Sequence, residues 1–343
     1  MKAVVLHGPG EVSVEDVADP GIVAADDAVV AVRATAICGA DLFPFHGLTP
    51  GFEAGTVLGH EFAGEILEVG PAVRALRPGQ RVVNASMISD GTCASCLAGR
   101  VTQCDGRSLF GYSGVYPRLD GGQAELVRVP HADRVLRPLP DELSDEAAVF
   151  LADILPTGYA AVTRGGVAPG DTVVVLGCGP VGLMVVLCAA GVAGRLIAVD
   201  GVPARRELAA RLGAEAVAPE QAADAVAEAT RGLGADVVVE AAGSAAALAG
   251  ALDLARGRGT ISVVGAHFEP DFALDNGRMF ERELTLRFSI GDPSRDGELL
   301  LSRVAAGELD PTPVVTHRLP LSEAAEAYRL FDTRQATKVV LAP

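Results

Sequence analysis

The sequence has little positive charge. Its 28 Lys and Arg stand against 44 Asp and Glu, a formal net charge of −16 at pH 7. So acidic a chain has few groups to neutralise a phosphate backbone or meet an anionic lipid face, which argues against nucleic-acid and membrane partners. No apolar run reaches the length of a bilayer span; the longest, 181–193, follows a glycine turn and is too short. The opening residues are broken by Gly8-Pro9 before an apolar core can form, so no secretory leader is expected. Internal repeats, low-complexity segments and long flexible linkers are also missing. Six cysteines without a leader point to metal or thiol chemistry in a reducing, cytoplasmic setting, not to disulfides.

What is present describes a globular protein. The 343 residues are 49% hydrophobic and 21% charged, which suits two domains better than one. The first half carries short β-branched runs at 28–34, 65–69, 80–84 and 123–130, punctuated by Gly and Pro, and reads as a compact, mostly antiparallel β domain. From Ser144 the texture changes. A helix is expected over 145–162, with Ser144 as N-cap and Glu146 in its first turn. Strands ending at Leu176 and Val199, and over 236–240 and 260–264, alternate with helices from Pro180 and over 204–212 and 245–254, a βαβ series. A last strand is expected at 284–290. Beyond 299 come two helical patterns and an apolar run at 337–341 that would return to the first domain.

Within the series, Gly177-Cys178-Gly179-Pro180-Val181-Gly182 follows the apolar run 172–176, and Asp200 ends the next strand. Strand, glycine turn, helix, strand and acid is the layout of a dinucleotide site. Gly177 permits the tight turn, Gly179 lets the backbone approach a pyrophosphate, and Gly182 lets helix pack on strand. The helix opening at Pro180 turns free N–H groups toward the phosphates. Asp200 would accept hydrogen bonds from a ribose and repel a 2′-phosphate, favouring NAD over NADP.

Two clusters in the β domain offer metal ligands. Cys38, His60-Glu61 and Asp153 supply a thiolate, an imidazole and carboxylates, a set suited to zinc. Three protein ligands would leave a fourth position open for water or substrate. Separately, Cys93, Cys96 and Cys104 crowd one loop, and Asp90, three residues before Cys93, is spaced to complete a structural zinc site. Cys178 and Cys188 read as packing residues. His7, His131, His267 and His317 have no matching partners in the sequence and read as structural or exposed.

With these motifs the chain resembles the zinc-dependent medium-chain dehydrogenase/reductase (alcohol dehydrogenase) family, in its sorbitol, threonine and formaldehyde dehydrogenase-like group. The resemblance spans nearly the whole length. It rests on Cys38-Gly39-Ala40-Asp41, Gly59-His60-Glu61-Phe62-Ala63-Gly64, the cysteine lobe, Asp153 with Thr157-Gly158-Tyr159, the glycine turn, Asp200 and Arg205. It implies an α/β protein in two parts: a GroES-like β-rich catalytic domain, 1–152 and 294–343, with the structural-zinc lobe at about 88–107, and a Rossmann doubly wound parallel-sheet domain, 153–293. It implies catalytic zinc on Cys38, His60 and Asp153, with Glu61 behind it or exchanging onto it and Asp41 orienting His60. It implies NAD contacts from Val181, Asp200, Arg205 and the backbone of Val264, Gly265 and Ala266. It also implies a homodimer or homotetramer paired through the strand near 285–290.

The activity so implied is hydride transfer between an alcohol and its aldehyde or ketone, with zinc as Lewis acid. The family's proton relay starts from a hydroxyl two residues after the zinc cysteine, often with a histidine three residues further on. Here those positions hold Ala40 and Phe43. His46 could carry the proton instead, or it simply lines the cleft. Zinc-bound water with Glu61 could replace the relay. The reaction could also differ: reduction of an activated C=C or C=N bond, or a redox-neutral, dismutase-type reaction with NAD kept bound. A non-catalytic NAD-binding protein would have lost zinc ligands, yet Cys38, His60, Glu61 and Asp153 are all present. Phe43, Phe45, Phe110, Tyr112 and Tyr116 are candidate apolar walls for a small-molecule substrate.

Overall fold

Strand Ala28–Ala36 carries more pairing than any single run of its length suggests. In the computed structural model, which describes residues 1–267 and 274–343, it pairs antiparallel with Glu61–Val69 from Ala28↔Val69 to Ala36↔Glu61. Its start also takes Leu126–Val129, and its end takes the late strand Val339–Ala342 through Val340↔Ala36. Gly64 makes the central pairing possible. A Cβ there would lie 2.0 Å from the Ala31 carbonyl oxygen. The buried face of this sheet packs Val30, Phe62, Ile66, Val82 and Phe110 into one core. A second core joins Val4, Leu6, Ile37 and Leu58 to Tyr328 and Phe331 of the helix Ala324–Asp332.

These elements belong to one compact unit, Met1–Asp153 with Asp292–Pro343; the other is Ile154–Gly291. The second unit holds a six-stranded parallel sheet in the order Glu215–Val217, Arg195–Val199, Thr172–Leu176, Ala235–Glu240, Ala255–Val263, Thr285–Phe288. Strands Thr172–Leu176 and Arg195–Val199 are almost wholly apolar, as strands covered on both faces tend to be. The strand order reverses between Thr172–Leu176 and Ala235–Glu240, which creates a crevice at their C-terminal ends. Strand Glu215–Val217 and helix Ala222–Thr230 were not anticipated. The strand is three residues long, and the helix buries only Ala222 and Val226, so neither has a strong pattern.

The helix expected over 145–162 is corrected. Ser144 does cap it, its side chain accepting from the Ala147 N–H at 3.2 Å. The helix Asp145–Val149 then tightens into the 3-10 turn Phe150–Ala152, and Asp153 leaves helical geometry with φ −152° and ψ −67°. A new helix runs Ile154–Gly165. Pro156 supplies the reason: it has no N–H for the Ala152 carbonyl, and its ring would clash there. The Ala152 oxygen accepts from the Ser86 N–H instead, at 3.0 Å.

Among the described residues, no helix is long and apolar enough to cross a membrane. Gly64→Ala is expected to cost about 3 kcal/mol, the upper end for overpacking a core, read as a lower denaturant midpoint of the first unit.

Candidate active site and metal centres

Three separate elements bring the first cluster together. Cys38 follows strand Ala28–Ala36, His60 precedes strand Glu61–Val69, and Asp153 sits at the helix break. The ligand atoms of Cys38, His60 and Asp153 lie within 4.8 Å of one another. His60 Nε2 is 3.3 Å from Asp153 Oδ2, and Cys38 Sγ is 3.7 Å from that oxygen. Bonds of about 2.3 Å to sulfur and 2.0 Å to nitrogen or oxygen, set at tetrahedral angles, would place such atoms roughly 3.3–3.6 Å apart. The donor set therefore fits zinc in both chemistry and spacing. Both ring nitrogens of His60 are buried without a well-formed hydrogen bond among the described residues; Nε2 is the one on the Asp153 side.

The supports behind these ligands are buried too. His60 Nδ1 lies 3.1 Å from Asp41 Oδ1, the carboxylate–histidine arrangement that fixes a ligating imidazole. Asp41 Oδ2 accepts from the Cys38 N–H at 3.0 Å and from Gln123 Nε2 at 3.4 Å; Gln123 Oε1 accepts from the Tyr328 hydroxyl at 2.9 Å. Asn84 accepts from the Phe62 N–H at 2.9 Å and donates to the His60 carbonyl at 2.8 Å, holding the backbone on either side of Glu61. Burial pushes the Cys38 thiol up to about 11, with Glu61 adding to the shift. For His60, burial opposes protonation, but Asp41, Cys38 and Asp153 outweigh it and raise its pKa.

Glu61, expected as a ligand or just behind the ligands, lies outside the three-residue group. Its Oε2 is paired with Lys338 Nζ, and both side chains are fully buried. Lys338 also donates to the Ile37 carbonyl at 3.1 Å, one residue before Cys38. Burial would drive the ammonium neutral, but Glu61 and Cys38 hold its pKa above the usual lysine range. Lys338, Gln123, Tyr328 and Asn84 escaped the sequence reading, because each reaches the site from a distant segment without a motif.

The second cluster comprises Asp90, Cys93, Cys96 and Cys104, whose ligand atoms also lie within 4.8 Å of one another. Asp90 Oδ2 is 3.2 Å from Cys104 Sγ. The N–H groups of Cys93 and Thr92 donate to Asp90 Oδ1 and hold its carboxyl well below the usual range. Burial pushes the Cys96 thiol up to about 12. All four cysteine thiols of the two clusters are free of disulfides. One oxygen and three sulfurs match a closed tetrahedral zinc site.

In the parallel-sheet unit, Gly177 has φ +94°, and a Cβ on Gly182 would lie 1.8 Å from the Gly177 oxygen. Nothing lies within 4 Å of where a Gly179 Cβ would be, leaving room for a pyrophosphate at the N-terminus of helix Pro180–Ala189. Asp200 accepts from the Cys178 and Val202 N–H groups, both at 2.7 Å, which fixes its carboxylate beside the turn. The backbone N–H groups of Val264 and Gly265 bond to the Glu240 carbonyl, and Ala266 abuts Gly243.

His46 Nε2 lies 2.8 Å from Asp332 Oδ1, with 44% of its side chain exposed, so its recorded partner is a surface acid of the C-terminal helix. The hydroxyl that reaches residue 40 belongs to Tyr112, which donates to the Ala40 carbonyl. Burial raises the Tyr112 pKa, so this hydroxyl keeps its proton.

Residues 24–141 match the alcohol dehydrogenase GroES-like domain family, and residues 180–306 the zinc-binding dehydrogenase family. The chain is 38% identical to a zinc-type alcohol dehydrogenase B of Aspergillus flavus, over 99% of this chain and 81% of that protein. Among solved structures, the alcohol dehydrogenase TADH from Thermus sp. ATN1 superposes with a TM-score of 0.95 at 39% identity, covering 100% of this chain and 99% of that one. A putative zinc-binding dehydrogenase from Sinorhizobium meliloti 1021, bound to NADP, has a TM-score of 0.89 at 32% identity, covering 100% and 99%.

Lys338→Met would strand the Glu61 carboxylate in a dry site, at an expected cost of about 3–5 kcal/mol. Adding Glu61→Gln should recover much of that loss. A double-mutant cycle of urea midpoints checks it.

Proposed function

The chain belongs to the zinc-dependent medium-chain dehydrogenase/reductase family, and from that footing we propose that it is an NAD-dependent oxidoreductase exchanging hydride between an alcohol and its aldehyde or ketone. The observation that carries this reading is the Cys38–His60–Asp153 triangle, three zinc-type donors at tetrahedral spacing. Zinc held there supplies a Lewis acid at a fourth, open position, polarising the substrate oxygen. NAD supplies the hydride acceptor, and NADH the donor.

The chain's own residues do the positioning. Asp41 fixes the His60 ring with Nδ1 toward its carboxylate, leaving Nε2 for the metal. Lys338 occupies one oxygen of Glu61, so that carboxylate stands behind the ligands and balances charge. Asp200, fixed beside the turn, would accept from an adenosine ribose and repel a 2′-phosphate, which supports NAD as the preferred dinucleotide. Arg205 and Val181 are the further side chains proposed to contact NAD. Asp90, Cys93, Cys96 and Cys104 hold a second, structural zinc. The strand Thr285–Phe288 lies at the end of its sheet, with Phe288 56% and Ile290 54% exposed; an edge of this kind suits pairing with a second copy.

Proton handling departs from the usual relay. Ala40 and Phe43 carry no proton, and His46 is engaged with Asp332. A second reading, reduction of an activated double bond, draws on the side chain at residue 40 itself, where Ala40 supplies no hydroxyl to take a proton from an alcohol.

The test follows NADH absorbance on zinc-loaded protein, with NAD plus an alcohol panel and NADH plus the matching carbonyls and conjugated enones. Turnover of alcohols is expected; turnover of enones alone would favour the second reading. Cys38→Ala should abolish turnover while NADH binding survives, and full activity of zinc-free Cys38→Ala would overturn the mechanism. Metal analysis should find two zinc ions per chain, falling to one in Asp90→Ala; one zinc in both proteins would refute the second site.

A further inference from the structure

Glu240 is a fully buried acid that the proposed chemistry does not use. It ends strand Ala235–Glu240, in register with Leu176 just before the glycine turn and with Val263 on its other side. Its Oε1 accepts from the Ala242 and Gly243 N–H groups at 2.9 and 2.7 Å. Its Oε2 lies 2.8 Å from His267 Nε2, whose side chain is only 8% exposed. Its backbone carbonyl accepts from the Val264 and Gly265 N–H groups at 2.9 and 3.0 Å. One residue thus ties the 241–243 loop to the 264–267 loop.

The two loops touch backbone to backbone. A Cβ on Gly265 would fall 2.3 Å from the Gly243 nitrogen and 2.6 Å from Glu240 Oε2. A Cβ on Gly177 would meet the Ala242 nitrogen at 2.8 Å, so the glycine turn rests on the same assembly. A neutral cap would suffice for a single loop: Ser244 caps the next helix by accepting from the Ala247 N–H. A carboxylate has about four acceptor sites and can serve both loops at once, with a charge-assisted bond to the second.

The position of these loops follows from the sheet. A dinucleotide lies across the crevice where strand order reverses, with its pyrophosphate at the glycine turn. Asp200, at the end of strand Arg195–Val199, marks the adenosine side. The nicotinamide half therefore falls over strands Ala235–Glu240 and Ala255–Val263, where the tied loops are. We infer that His267 and Glu240 form a positioning pair for the nicotinamide half of the cofactor, acting through the backbone of Val264–Ala266. This rests on the dinucleotide reading above.

The experiment titrates full-length, zinc-loaded wild type, His267→Leu and His267→Gln with NADH and, separately, with AMP. His267→Leu removes the donor and is expected to weaken NADH binding roughly tenfold, a loss in keeping with one hydrogen bond to a charged group. The unpaired Glu240 oxygen is expected to lower the melting temperature, but AMP affinity should stay put, and the KM for NAD should rise without change in the KM for alcohol. His267→Gln keeps an N–H donor and should restore most of the affinity. Unchanged NADH binding by His267→Leu would overturn the pair's role, as would equal loss of AMP binding or a failure of His267→Gln to restore NADH affinity. Wild-type protein that binds no NADH would overturn the dinucleotide reading itself, a result distinct from wild type binding tightly with His267→Leu unchanged.

Discussion

Around Cys38 the first unit gathers Asp41, Glu61 and Asp153 beside a thiol, with Lys338 and His60 as the facing cationic groups. Charges taken out of water must be paired or must bind metal. The local architecture answers that demand. Glu61 is paired with Lys338, Asp41 faces the imidazole, and Cys38, His60 and Asp153 are left as a group that could share a cation. Strand pairing, the kink at Asp153 and the return of the Val339–Ala342 strand are the means by which these groups converge.

Much of this was legible in the sequence, for identifiable reasons. The βαβ series announced itself through the short apolar runs at 172–176 and 195–199 and a helix that starts on a glycine turn. Cys93, Cys96, Cys104 and Asp90 are close neighbours in the chain, so their convergence required no knowledge of the fold. Cys38, His60 and Asp153 are far apart, and before the structure they were joined by donor chemistry and by resemblance, not by spacing. Lys338 shows the limit of such reading. It is separated from Glu61 by 277 positions, and a lysine beside two valines in a terminal strand carries no sign of burial. His267 had no visible partner for the same reason, since Glu240 meets it only once two parallel strands lie side by side. The helix break was legible and overlooked: Pro156 forbids the bond that a continuous helix requires.

The two units build their candidate sites by different means. The first uses side chains of defined chemistry, held by other side chains. The second relies on backbone: glycines that admit close approach, N–H groups at a helix start, and loops packed so tightly that a single methyl would part them. Substitutions in the first change what is bound; in the second they change whether anything fits.

The distance between Glu61 and Lys338 along the chain also bears on biosynthesis. Ile154–Gly291 is one uninterrupted segment and can condense as soon as it leaves the ribosome, since domains generally fold as units during synthesis. The unit around it cannot. Its first half emerges early with the Cys38 thiol and the Glu61 acid uncovered, and both wait for the Val339–Ala342 strand to arrive. Until then the acid lacks its ammonium and the thiol its cover, so the buried pair closes only as the last residues of the chain leave the ribosome.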